Sequence, residues 1–159
     1  MALDFKRYVN SLFIDITALG GISSTAIILL MVWFLIDAAL FMQLLLGILV
    51  TISIVIIIRL IYFRDRPKKQ VHSNIIERIE ASSFPSLHAA RSSFMALVFI
   101  TYFDILVLNI IIVIIALLIS YSRVYLKKHY WSDIFAGWLL GGIIYYYSIS
   151  SFFIITTLY

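Results

Sequence analysis

The chain has no cysteine, only two prolines and six glycines, and few charged residues. Without cysteine there can be no disulfide and no thiolate metal site, and redox compartment leaves no trace in the sequence. Three histidines, His72, His88 and His129, are too few and too scattered for a zinc cluster. Charged residues make up 13% of the 159 positions and hydrophobic residues 64%. A soluble domain of this size could not cover its surface with so little polarity. What remains is a chain whose solvent is largely lipid, an integral membrane protein in one domain over 1–159. Its net charge of +4 suits anionic head groups or phosphates. Nucleic acid is not expected as a partner, because the basic residues lie between apolar runs with no soluble module to present them.

In chain order, residues 3–19 carry Phe5, Tyr8, Val9, Leu12, Phe13, Ile16 and Leu19 on one stripe and Asp4, Arg7, Ser11 and Asp15 on another. That pattern predicts an amphipathic helix lying at the membrane interface. Asp15 interrupts what would be the apolar region of a signal peptide. Gly20-Gly21 and Ser23-Ser24 mark a turn. The apolar runs 22–36 and 38–62 are together too long for one crossing, which takes about 20 residues. Asp37 is therefore read as the tip of a hairpin. Residues 63–84 form the one extended polar loop, with a short helix expected near 74–81. Pro85 and Ser86 are helix-start signals, and the chain then stays mostly apolar to Tyr121. At about 1.5 Å per residue that run measures about 50 Å, against a hydrocarbon core of about 30 Å. A turn at Phe103-Asp104 divides it into 86–103 and 105–122. A last span covers 131–150, with Tyr145, Tyr146 and Tyr147 near its far interface. The expected fold is all-α: an integral membrane helical bundle of about five transmembrane helices plus the N-terminal interfacial helix.

Counting crossings puts the segments Arg59–Pro67, Pro85–His88 and Ser122–Asp133 on one face of the membrane. All twelve lysines and arginines fall there too, while Asp37 and Asp104 mark the opposite face. One site built from three helix ends is then possible, provided that Asp104 turns the chain. Such a site holds the parts that phosphoryl transfer needs: fixed cations, a nucleophile and a proton donor. Arg59, Arg66 and Arg123 can each grip phosphate with two N–H groups. Arg59 and Arg66 are seven apart, about two helical turns, so an extended helix would present both on one face. Ser86 and the free N–H groups beside it offer an anion seat. His88 and His129 are the two candidates for nucleophile and acid, either one for either role. Asp133, four residues after His129, would share a helical face with it.

Arg59-x6-Arg66-Pro67, Pro85-Ser86-Leu87-His88 and Ser122-Arg123-x5-His129-x3-Asp133 together resemble the three-part signature of the type 2 phosphatidic acid phosphatase superfamily. That superfamily also includes vanadium-dependent haloperoxidases and glucose-6-phosphatase. The resemblance implies that His129 attacks phosphorus and becomes a phosphohistidine, with Asp133 orienting its imidazole. His88 would be the general acid and base, and Arg59, Arg66, Ser86, Leu87 and Arg123 would hold the phosphate. Guanidinium groups would replace any metal or other cofactor. Two positions depart from the usual pattern: Arg59 stands where lysine is common, and Leu87 stands where glycine is common. Leu87 keeps its N–H but lacks the close backbone approach that glycine allows.

Other polar residues have plainer readings. Arg59 has a second one, as a side chain reaching from a helix end to the head groups. Arg91, one turn after His88, is read first as such a snorkelling residue and second as a contact to a further phosphate or to Glu80. His72 reads as a loop residue, and Lys68, Lys69, Lys127 and Lys128 as head-group contacts. Gly137-x3-Gly141-Gly142 reads as a helix-packing face. The expected activity is hydrolysis of a polyisoprenyl phosphate or diphosphate, the long-chain lipid keeping its tail in the bilayer. Alternatives are a phosphatidylglycerophosphate or phosphatidate phosphatase and, in another class, a non-catalytic protein that binds lipid phosphates. The protein is expected to be multi-pass in the cytoplasmic membrane. The basic face reads as cytoplasmic by the positive-inside bias, whereas many members of the resembled family face outward, so the side of the site stays open. Oligomeric state is not encoded in any of these signals.

Overall fold

A computed structural model describes residues 2–157 of the chain, with side chains from 4 to 149. Among the described residues there are seven helices and no strand: α1 (Ala2–Leu19), α2 (Ile22–Leu35), α3 (Ala38–Ile61), α4 (Ile75–Ala81), α5 (Leu87–Phe103), α6 (Leu106–Tyr125) and α7 (Trp131–Thr157). The protein is an all-α integral membrane bundle. α3 and α6 are each long and apolar enough to cross a bilayer alone, and α1 with α2 reaches that length only across a 45° bend. The outward faces carry exposed Leu30, Phe34, Leu49, Ile57, Ile110 and Ile114, which would be a liability in water and are ordinary against lipid.

Both expected hairpin tips are turns. Asp37 precedes α3 and accepts the Leu40 N–H at 2.8 Å, satisfying one free donor of that helix start. Asp104 adopts a left-handed conformation, with φ at 47°, and its N–H closes α5 onto Ile100 O at 3.2 Å. The chain reverses there, and α6 packs back against α5.

α5 is the hub, packed against α3, α6 and α7. Phe94, Met95 and Val98 of α5 meet Val32, Leu40, Leu44, Ile48 and Ile144 in the apolar core. Toward its N-terminal end α5 presents small residues to α7, which lets the two backbones approach closely. A methyl group at Gly141 would stand 2.0 Å from Ser93 Oγ, whereas one at Gly142 would meet nothing within 4 Å. The packing face expected of Gly137, Gly141 and Gly142 therefore excludes Gly142. One register step turns Gly142 away from α5. This contact delivers the start of α5 to the start of α7, where Ser86 N–H donates to Asp133 O at 3.0 Å.

α1 lies along the end of α6. Phe13 stacks on Tyr125 with ring centres 4.1 Å apart, and Tyr125 donates its hydroxyl to Asn10 Oδ1 at 3.1 Å. Phe5, Tyr8 and Leu12 remain exposed.

Candidate active site

His129 follows α6 by four residues. Lys127 takes a left-handed conformation with φ 53°, and the N–H groups of Lys128 and His129 both return to Arg123 O, at 2.9 and 3.2 Å. The tight reversal carries the imidazole inward, where only 2% of the residue is exposed. Its Nδ1 lies 2.7 Å from Ser83 O. A carbonyl can only accept, so Nδ1 carries the proton and the neutral ring presents a bare Nε2. Burial pushes the His129 pKa down to about 4, helped by Arg123 and Arg66 and opposed by Asp133 and Ser83. Near neutral pH the ring is therefore uncharged.

Asp133 stands differently from its expected place. Its Oδ2 is 3.7 Å from His129 Nδ1, beyond a direct hydrogen bond. The same Oδ2 accepts the Tyr130 N–H at 2.8 Å, and Oδ1 accepts from Arg64 Nη1 at 2.8 Å. The physical reason is that α7 begins at Trp131, so His129 lies outside the helix and the four-residue spacing does not align the two side chains. Asp133 turns back to close its own helix start. Its charge still faces the ring, while Ser83 makes the direct contact.

The three guanidinium groups come from three different elements. Arg59, in the last turn of α3, donates to Ile79 O at 3.2 Å and to Pro85 O at 2.9 Å. With 7% exposure it is turned into the protein and does not snorkel. Arg66 donates to Glu80 O, and Arg123 donates to Thr17 Oγ1 at 2.9 Å. Since α3 ends at Ile61, the expected single helical face for Arg59 and Arg66 does not exist. The irregular segment after α3 brings them within each other's electrostatic reach, and Arg123 within reach of both. Each of the three keeps a buried Nε–H without a partner among the described residues. Buried donors are rarely left so, and three in one electrostatic neighbourhood are chemically able to take up an anion.

The start of α5 supplies the fourth side. Ser86 is fully buried, its Oγ accepts from Ala89 N–H at 3.4 Å, and its own N–H is taken by Asp133. Its hydroxyl and N–H thus serve the helix start. Among the described residues the Leu87 and His88 N–H groups have no backbone acceptor, and these two are free to meet an anion. His88 lies within electrostatic reach of Arg123, Arg91, His129 and Arg59. Arg91 is 2% exposed and donates to Gly20 O, against the snorkelling expected of it. The backbone carbonyl at the joint between α1 and α2 takes its guanidinium instead.

Sequence reasoning did not single out Ser83, Arg64 or Thr17. Arg64 donates to both Ser132 Oγ and Asp133 Oδ1 at 2.8 Å and lies 4.4 Å over the Tyr130 ring. Its only signal was a third arginine inside the first motif, between Arg59 and Arg66. Ser83 acts through a backbone carbonyl, and Thr17 sits in a helix read as merely interfacial, so neither left a signal.

Residues 40–156 match the model of the PAP2 superfamily, a stretch that contains all three motifs. The chain belongs to that superfamily. Two solved PAP2-type structures share its fold. One is LpxE of Aquifex aeolicus, with a TM-score of 0.76 and 24% identity over 90% of this chain and 86% of that one. The other is a phosphatidylglycerolphosphate phosphatase of Bacillus subtilis, with a TM-score of 0.72 and 22% identity over 90% and 76%. A shorter match joins this PAP2 chain to a lipid A 4'-phosphatase of Bacteroides thetaiotaomicron, 46% identical over 59 residues. That match takes in 37% of this chain and spans only 26% of the relative's length.

Proposed function

We propose that this PAP2 protein is a lipid phosphatase that hydrolyses a polyisoprenyl phosphate or diphosphate through a phosphohistidine on His129. One observation carries the proposal: Arg59 and Arg123, both buried, and the half-buried Arg66 lie within electrostatic reach of one another, each with a buried Nε–H unpaired among the described residues, beside a buried neutral histidine. An anion with several equatorial oxygens satisfies all three at once.

In this mechanism Arg59, Arg66, Arg123 and the Leu87 and His88 N–H groups hold the phosphate. His129 Nε2 attacks phosphorus while its Nδ1–H stays on Ser83 O. The Asp133 carboxylate, 3.7 Å from Nδ1, stabilises the positive charge that grows on the ring. His88 protonates the leaving oxygen and then takes a proton from the water that releases phosphate. Arg64 holds Asp133 in place. The bundle would cross the cytoplasmic membrane about five times, with α2, α3, α5, α6 and α7 as the spans and α1 at the interface. The polar head then meets the helix ends while the lipid tail stays in the bilayer.

A second reading is hydrolysis of a lipid phosphomonoester such as phosphatidate or phosphatidylglycerophosphate. It is favoured by two of the relatives, a phosphatidylglycerolphosphate phosphatase and a lipid A 4'-phosphatase. Phosphate release in detergent from polyprenyl phosphate, polyprenyl diphosphate, phosphatidate and phosphatidylglycerophosphate separates the two. In the same assay His129→Ala is expected to lose at least about a thousandfold in turnover while remaining folded. Undiminished turnover in that variant removes the nucleophile assignment, and no turnover by the native protein on any of the four leaves a phosphate-binding protein.

A further inference from the structure

Arg91 is the buried charge that the proposed chemistry leaves unused. It is 2% exposed, and its one hydrogen bond among the described residues is from Nη2 to the Gly20 carbonyl. A guanidinium carries five N–H donors and a full charge, and among the described residues only one of these donors meets a protein acceptor. It lies three residues after His88 on α5, on the same helical face and about 4.5 Å further along the axis. On its other side a cavity of about 460 Å³ opens between α2, α5 and α6. That cavity is lined by apolar side chains such as Ile28, Met95, Phe99 and Ile115, and no carboxylate lines it. Arg91 thus lines an apolar cavity and also lies within electrostatic reach of His88, with no carboxylate among the described residues of that lining.

We infer that Arg91 seats a second phosphate, so that the substrate class is a lipid diphosphate whose tail continues into the cavity between α2, α5 and α6. The inference rests on the phosphatase function proposed above and selects among its substrates. The terminal phosphate occupies Arg59, Arg66 and Arg123, and the inner phosphate lies against Arg91. His129 Nε2 bonds to the terminal phosphorus as the bond to the bridging oxygen breaks. The lipid monophosphate leaves with a proton from His88, its charge stabilised by Arg91. Water then cleaves the phosphohistidine, giving inorganic phosphate and returning a proton to His88. A lipid monophosphate fills the first seat and leaves Arg91 without an anion.

The test compares the native protein, Arg91→Gln and Arg91→Lys on a polyprenyl diphosphate and on the monophosphate of the same chain. The native protein is expected to prefer the diphosphate. Arg91→Gln is expected to lose at least about tenfold in kcat/KM on the diphosphate and under about threefold on the monophosphate, with Arg91→Lys between. Equal losses on both lipids would make Arg91 a clamp on the α1–α2 joint and overturn the inference, as would a native preference for the monophosphate. Arg91→Lys keeps the charge, so it decides the matter if Arg91→Gln fails to fold. A second arm uses titration calorimetry of inorganic pyrophosphate and inorganic phosphate into His129→Ala. Tighter binding of pyrophosphate that is lost on adding Arg91→Gln supports the seat, and equal affinities overturn it. Should the native protein cleave neither lipid while pyrophosphate still binds through Arg91, the phosphatase function falls and the diphosphate seat stands.

Discussion

The two ends of this bundle are closed by different means. At the end marked by Asp37 and Asp104, each turn is secured within four residues: Asp37 by the Leu40 N–H, and Asp104 by Ile100 O. At the other end the ties run between distant segments. His129 reaches Ser83, Arg59 reaches Pro85, Arg64 reaches Asp133, and Arg123 reaches Thr17, over sequence separations of 46, 26, 69 and 106. Local closure makes a turn that its own residues can specify. Distant closure makes a pocket that exists only once the bundle is assembled. The same difference predicts how each end responds to mutation.

The largest effect is expected where a distant tie is cut. In Arg64→Ala the fully buried Asp133 loses its ion pair, which has one partner about a third exposed. Removing one member of such a pair is expected to cost about 3 kcal/mol of stability, measured as a fall in thermal midpoint in detergent. Phosphate release should fall with it, because Asp133 no longer faces His129 in a fixed position. Equal stability in the variant would mean that the tie contributes nothing to the site end.

Proton uptake attacks the same end. The pKa of His129 is depressed to about 4 from an ordinary 6.5. The unfolded chain therefore binds this proton first, so the stability that the buried neutral ring contributes is present above about 6.5 and lost as pH falls through about 4. The acid limb of kcat/KM that reports His129 should lie near pH 4, with a tenfold fall per unit below it. A limb near 6.5 would show that the ring is solvated in the working enzyme.

Helix packing sharpens the comparison from inside the bundle. Gly141→Ala forces a methyl group to 2.0 Å from Ser93 Oγ and should cost about 1–3 kcal/mol as α5 and α7 separate. Gly142→Ala, with open space around it, should be neutral or slightly stabilising. Activity should follow Gly141 alone, since that contact holds the starts of α5 and α7 together.

The smallest effects belong to the locally closed end. Asp37→Ala removes a helix cap and should cost about 1 kcal/mol with unchanged turnover. Asp104→Gly relieves a left-handed residue and should stabilise by up to about 1 kcal/mol. Loss of activity in either variant would break the division between the two ends.

The same contrast explains what the sequence could reveal. Apolar runs and the lone acidic tips Asp37 and Asp104 made the helices legible, because lipid length and local capping act on neighbouring residues. Arg59, Arg66, His88, Arg123 and His129 were legible through their chemistry and order, and the fold brings them into one electrostatic neighbourhood. The exact partners were hidden. The spacing of His129 and Asp133 suggested a helical pair, yet the helix starts between them. Arg91 looked like a residue bound for the head groups because the closing of the α1–α2 joint over it depends on tertiary packing. Ser83 was invisible because what it contributes is common to all residues.

That last point has a genetic consequence. The acceptor that aims His129 is a main-chain oxygen, which no codon change at position 83 can delete and which does not titrate. Ser83→Ala removes only the hydroxyl contact to Asp65 O. The orientation of His129 is thus shielded from loss of its partner's side chain and exposed instead to changes in loop length. A one-residue insertion or deletion between α4 and α5 would displace the oxygen that Ser83→Ala leaves in place.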